Sequence, residues 1–153
     1  MSHEARLKQL SILLPPLPQP KGTYQPGILH NGLLYLSGQG PVLDDGSLAK
    51  GVVGGGVTVE QANFHAKRTG LVLLAAARQI LGLLDGIERV INVFGMVNGA
   101  PSFSEHPKVI NGCSDLFIEV FGQAGRHARA AVGLGTLPES ITVEIAAIFG
   151  VKP

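Results

Sequence analysis

The chain has 153 residues, the length of one ordinary domain; 45% are apolar, only 15% are charged, and the formal net charge is +1. With no basic run beyond Lys67-Arg68 the electrostatic footprint of a nucleic-acid binder is excluded, and the single Cys113 excludes an internal disulfide framework or a four-cysteine zinc site. Charge well below the roughly 25% usual for soluble domains implies that some surface is buried against other subunits, because oligomer interfaces are depleted of charge.

The first residues, Met1 to Arg6, lack the basic-then-apolar order of a secretory signal, and the most apolar run, 71–84, is interrupted by Arg78 and Gln79. That run is too short to span a bilayer, so a cytoplasmic protein is expected. Ala5, Leu7, Leu10 and Leu14 fall near helical spacing and predict a short amphipathic helix over 3–14. Leu14-Pro15-Pro16-Leu17-Pro18-Gln19-Pro20 then forbids regular hydrogen bonding. Residues 1–20 therefore read as an N-terminal arm, expected to pack over a neighbouring subunit, and 21–153 as the domain proper.

Strand signals over 24–29 and 33–38 flank His30-Asn31-Gly32, whose Asn-Gly pair suits a type I′ hairpin turn. A second turn at Asp44-Asp45-Gly46 follows, and residues 51–56 are loop-like or a bulged edge. Thr58-x-x-Gln61 has the form of a capping box and opens a long helix to about Leu84, with Ala62, Ala66, Leu73, Leu74, Ala77 and Leu81 as its apolar stripe. Residues 90–97 are β-branched enough for a buried strand. Pro107 starts a second helix with Val109, Cys113, Leu116, Phe117 and Val120 inward, and Gly122 stops it. Final strands over 128–137 and 141–149 are joined by Pro138-Glu139-Ser140 and, from spacing alone, pair as a hairpin. The order β-β-β-α-β-α-β-β predicts an α+β domain, a sheet with helices on one face.

Glu144 is the least comfortable residue, a carboxylate in mid-strand among Thr142, Ala146 and Ile148. It is either an edge-strand glutamate on a wet face or a carboxylate held in a cleft to position water. Arg129 opens the preceding strand, and its planar fork suits a bidentate grip on a carboxylate, although a strand-end arginine is otherwise an ordinary solvated residue. His127 alternates with it and is either an accessory proton carrier or, more simply, a loop histidine held in hydrogen bonds. Gly38-Gln39-Gly40 lacks the rest of a dinucleotide fingerprint, and residues 51–56 lack the Lys-Ser/Thr of a phosphate loop. His30, His65, His106 and His127 have no metal-ligand spacing, so no metal is expected.

Tyr35-Leu36-Ser37-Gly38-Gln39-Gly40-Pro41 resembles the Ser-Gly-Gln-x-Pro element of the RidA/YjgF proteins, also called the endoribonuclease L-PSP family. Ala128-Arg129, then Val132, Leu134, Leu137-Pro138 and Val143-Glu144-Ile145, are similar to that family's C-terminal signature. Gly22-Thr23-Tyr24 looks like its Gly-Pro-Tyr segment, and Val109-Ile110-Asn111 matches its helix-borne asparagine. The likeness runs from about Lys21 to Val151, in a longer branch carrying the arm.

The resemblance implies a chorismate-mutase-like fold with another strand between the last two, assembled as a homotrimer with clefts between subunits. It implies cofactor-free hydrolysis of reactive enamines and imines, such as 2-aminoacrylate and 2-iminopropionate, to a 2-keto acid and ammonia. Arg129 would clamp the substrate carboxylate and Glu144 would hold or activate water. Tyr24 would border the cleft from the adjacent subunit, with Ser37, Gly38 and Asn111 forming its wall. The chain departs from the archetype at His127, which replaces an aromatic or apolar residue, and at Ala131, where many members carry cysteine. It departs also at Thr23, which replaces a proline, and in an asparagine-to-arginine spacing longer by one residue. Other functions stay open beside this one: a regulatory trimer binding small carboxylates without turnover, an endoribonuclease recruiting His127 and Arg126, and a chaperone-like or structural role.

Overall fold

The computed structural model describes all residues, 1–153. In chain order the elements are α1 (His3–Gln9), β1 (Gly27–His30), β2 (Leu33–Gln39), α2 (Val59–Leu81), β3 (Ile87–Asn98), α3 (His106–Phe121), β4 (Ala128–Leu134) and β5 (Val143–Val151). One five-stranded sheet has the order β1-β2-β5-β3-β4; β4 runs parallel to β3 and every other pair is antiparallel.

Local chemistry sets most of these boundaries. Asn31 and Gly32 take φ of 51° and 75°, the doubly left-handed geometry of a type I′ turn, and β1 and β2 pair directly across it. Both capping-box bonds form at the start of α2: Gln61 N–H donates to Thr58 Oγ1 (3.1 Å) and Thr58 N–H to Gln61 Oε1 (2.9 Å). Gly122 ends α3 at φ 62°.

The core lies between the sheet and its two long helices. Along β5, Val143, Ile145, Ala147 and Phe149 are buried on the helix side, while Glu144, Ala146 and Ile148 alternate onto the other face. Ala62, Ala66, Leu73 and Ala77 of α2 and Val109, Cys113, Leu116 and Phe117 of α3 are fully or almost fully enclosed against them. Phe117 meets Phe149 edge-on with centroids 5.4 Å apart. No helix covers the opposite sheet face, where Ile28, Tyr35, Phe94 and Val132 stay 38 to 53% exposed.

Two expectations change. The third strand before α2 does not form: residues 42–57 make only isolated bridges, and Gly51, Gly54 and Gly56 adopt φ of 132°, 82° and 123°, outside the β region that a regular strand needs. The sheet therefore has five strands instead of six. The last two strands are not a hairpin, since β3 lies between β4 and β5, as the family resemblance implies.

Within one chain the arm packs on the domain's own surface. Glu4 receives Arg78 Nε and NH2 (3.2 and 2.9 Å) and the Leu84 N–H (3.0 Å), and its own N–H donates to Asp85 Oδ1 (3.0 Å). That last bond is the leading cause holding the Asp85 carboxyl below its ordinary range. Leu7 is 2% exposed and belongs to the main apolar cluster, with Leu10, Ile12, Leu14 and Leu17 packed at its margin. Leu7→Ala is expected to lower the unfolding free energy by about 2–4 kcal/mol, read from urea melts. An unchanged midpoint would mean that α1 docks outside the cooperative unit.

Candidate active site

Two polar clusters stand out from the apolar framework. The first is built where α3 runs beside the edge strand β4. Arg129 pairs in register with Val93 of β3, a core position, so its side chain leaves the sheet on the helix side. There NH1 donates to Asn111 Oδ1 (2.8 Å) and Ser114 Oγ (3.0 Å), two residues one turn apart on α3. NH1 is the only nitrogen of this guanidinium bonded within the chain. Nε and NH2 remain as a free planar edge.

His127 joins the same cluster. Its Nε2 lies 2.9 Å from Ser114 Oγ and its Nδ1 2.6 Å from the Gly125 carbonyl oxygen. Burial pushes its pKa below the ordinary histidine value and the Arg129 charge adds to this, against the opposing Gly125 bond. A small cleft of about 220 Å³ opens over these groups, lined by Asn111, Ser114, Asp115, Arg126, His127 and Arg129. A larger hollow of about 680 Å³ sits at the other end of β4, between Val52, Phe103, His106 and Leu134. His106 is its only ionisable group, which makes it the poorer candidate for chemistry.

The second cluster is on the bare face of the sheet. Glu144 has no hydrogen bond or ion pair within the chain, and its half-buried carboxyl is pushed above the ordinary value of 4.5 by loss of water. It lies against Gly38, at a register slip between β2 and β5. A Cβ on Gly38 would stand 2.6 Å from Glu144 Oε2, so any side chain there would displace the carboxylate. Ser37 Oγ donates to the Gln25 carbonyl (2.5 Å), tying the segment next to Tyr24 onto β2. Tyr24 itself is half exposed, and its hydroxyl accepts from the Lys21 N–H (3.4 Å).

Asn111 and Arg129 thus meet directly, Gly38 meets Glu144, and His127 reaches Arg129 only through Ser114. Arg129 and Glu144 do not meet within one chain. Arg129 shares a row with Val93 and Ala147 on the covered face, whereas Glu144 shares one with Met96 and Val132 on the bare face. Ser114 escaped the sequence reading. The available signal was a polar residue three places after Asn111 on an otherwise apolar helix face, and it is 7% exposed.

The family described as "YjgF/chorismate mutase-like, putative endoribonuclease" matches residues 4–145. The chain belongs to the RidA/YjgF family. Its sheet, with two long helices on one face, is the chorismate-mutase-like α+β fold of that family. Protein TCP17 of Trypanosoma cruzi is 38% identical over 145 residues, covering 94% of this chain and 91% of that one. The crystal structure of Atu1372 from Agrobacterium tumefaciens, a protein of unknown function, is 42% identical with a TM-score of 0.87, over 97% of this chain and 91% of that one. A Shewanella oneidensis protein whose structure is described as a "putative endoribonuclease" is 30% identical with a TM-score of 0.94, over 99% and 100% of the two chains. The match to the RidA/YjgF model begins at residue 4, within α1, whose Leu7 packs in the core.

Proposed function

We propose that this RidA/YjgF protein hydrolyses reactive 2-imino acids and their enamine tautomers to 2-keto acids and ammonia, without a cofactor, in a cleft between subunits of a homotrimer. The observation that carries the reading is the Arg129 guanidinium: NH1 is held by Asn111 and Ser114 while the Nε/NH2 edge stays free at a cleft. A free planar edge of this kind matches a carboxylate in a bidentate pair.

The bare sheet face supports the trimer. Ile28, Tyr35, Phe94 and Val132 form an apolar surface that a monomer would leave in water. In this reading a cleft between subunits joins the Arg129 cluster of one copy to the Glu144 cluster of the next, since the two lie on opposite faces of one chain's sheet. Tyr24, tied to β2 through Ser37, would then border the cleft on the Glu144 side.

In the reaction, Arg129 fixes the carboxylate of 2-iminopropionate and so holds the neighbouring C=N carbon in position. Glu144 accepts a proton from water as its oxygen adds to that carbon, then returns the proton to nitrogen. Glu144 then carries the hydroxyl proton of the carbinolamine to nitrogen as the C–N bond breaks, releasing ammonia and leaving the 2-keto acid. The imine carbon is already electrophilic, so no covalent nucleophile is needed. His127, which an RNA-cleaving reading would recruit, has both ring nitrogens engaged.

The test is the decay of freshly generated 2-iminopropionate, followed with and without protein. Acceleration proportional to protein concentration is expected. If decay is unchanged while pyruvate still raises the melting temperature, the protein binds small carboxylates without turning them over, and the enzymatic reading fails.

A further inference from the structure

We infer that Ser114 and His127 form a one-way hydrogen-bond relay that orients the Arg129 guanidinium and so selects the edge of it that meets a substrate carboxylate. The inference rests on the deaminase reading for the identity of the substrate; the relay itself stands on the geometry of the free protein.

The direction of every bond follows from what each group is able to donate. The Gly125 carbonyl oxygen only accepts, so at 2.6 Å from it His127 Nδ1 must carry a proton. Burial chiefly, with the adjacent Arg129 charge, lowers the His127 pKa against the opposing Gly125 bond, and so favours the neutral ring with Nε2 as an acceptor. The one hydroxyl proton of Ser114 then points at Nε2, 2.9 Å away, and its lone pairs turn toward Arg129 NH1 at 3.0 Å. The second NH1 proton goes to Asn111 Oδ1 at 2.8 Å. Both protons of NH1 are committed and no donor in the chain competes for these acceptors.

Two anchors on NH1 fix the plane of the guanidinium as well as its position. What remains is the side-on edge, Nε–H and NH2–H, as the only bidentate face the arginine offers. Removing Ser114 leaves NH1 on Asn111 alone; removing the His127 acceptor frees the Ser114 hydroxyl to rotate, so its lone pairs are no longer held toward NH1. The group then swings, and the end-on NH1/NH2 edge becomes available in competition. Ser114 and His127 are thus positioning residues: Ser114 acts on the arginine directly and His127 through Ser114.

His127 also has a packing role, because its ring lies against Phe117 with centroids 6.2 Å apart at 74°. Substitution separates the two roles. His127→Phe keeps a ring against Phe117 and removes the acceptor, whereas His127→Gln carries an amide oxygen out to the position of Nε2. Ser114→Ala breaks the relay at its centre with little change in volume.

The experiment uses the full chain. Nitrogen-15 NMR of the His127 ring near neutral pH is expected to show the neutral tautomer protonated at Nδ1, the less common form for a solvated histidine. Kinetics on 2-iminopropionate and binding of pyruvate are then compared across the variants. Ser114→Ala and His127→Phe should raise KM and the pyruvate Kd by ~10-fold, with kcat changed by less than ~3-fold, and His127→Gln should recover most of the loss. Melting temperatures check that the folds survive. An Nε2-protonated ring, a His127→Phe protein as good as wild type, or a folded His127→Gln protein as poor as His127→Phe would each overturn the relay. If wild type fails to bind pyruvate, the carboxylate-orienting role falls. Turnover missing from a wild type that binds pyruvate and shows the relay tautomer would sink the deaminase reading and leave the relay standing.

Discussion

Arg129→Ala is expected to lower kcat/KM for 2-iminopropionate by ~10²–10³-fold, the equivalent of about 3–4 kcal/mol in transition-state binding. The size follows from what the free edge supplies, two charge-assisted N–H···O bonds to one carboxylate in a site only partly open to water. The variant should keep its fold. It leaves Asn111 Oδ1 and Ser114 Oγ without their shared donor, but both line an open cleft that water enters. Arg129→Lys separates charge from shape. An ammonium is a point donor that cannot hold Asn111, Ser114 and a bidentate carboxylate together, so KM should stay well above wild type although the charge is retained. Steady-state kinetics on both variants, with pyruvate binding measured in parallel, check this. A lysine variant as good as wild type would show that a general positive charge, not the fork, does the work.

The parts of this fold that were legible in the sequence are those fixed by neighbours along the chain. Asn31-Gly32 forms its turn and Thr58-Gln61 closes both bonds of its capping box because each needs only residues within four places of itself. The inward faces of α2 and α3 follow from periodicity in the same way. Strand order is a different kind of quantity. Nothing in residues 128–149 says that β3 will lie between β4 and β5; that came from resemblance to a family, not from spacing.

The arm is a similar case. Its helix is evident in the sequence, yet its destination is set by Glu4 meeting Arg78 and Leu84, 74 and 80 residues away, pairings that no local pattern announces. In the candidate site, Arg129 and Glu144 were found through chemistry and family likeness, but the face each one occupies depends on register. Ser114 needed the register of α3 over β4 before its partners appeared.

Glu144→Gln should separate activity from stability in opposite directions. Turnover should fall by ~10²–10⁴-fold, the usual worth of a positioned proton-transfer group, because an amide cannot take a proton from water. Stability of the unassembled chain at neutral pH should rise. In the folded chain burial lifts the Glu144 carboxyl above 4.5 and nothing in the chain pairs with it, so its folded-state pKa exceeds its unfolded one. The sign follows directly: folding favours the protonated form, and the advantage is complete below the unfolded pKa. It is lost as pH climbs from about 4.5 through the raised value, so at pH 7 the ionised carboxylate costs stability. Water reaching the half-buried group screens most of that cost, and glutamine should recover less than about 1 kcal/mol, or up to ~2–4 °C in melting temperature. The difference between variant and wild type should vanish in acid, where both side chains are neutral. The same titration predicts that wild-type kcat declines as pH falls through the raised pKa, since only the carboxylate accepts the proton. A variant that melts lower than wild type at pH 7 would mean that Glu144 has a partner in the assembled protein, and a cation brought to the bare sheet face by a neighbouring subunit would be the place to look.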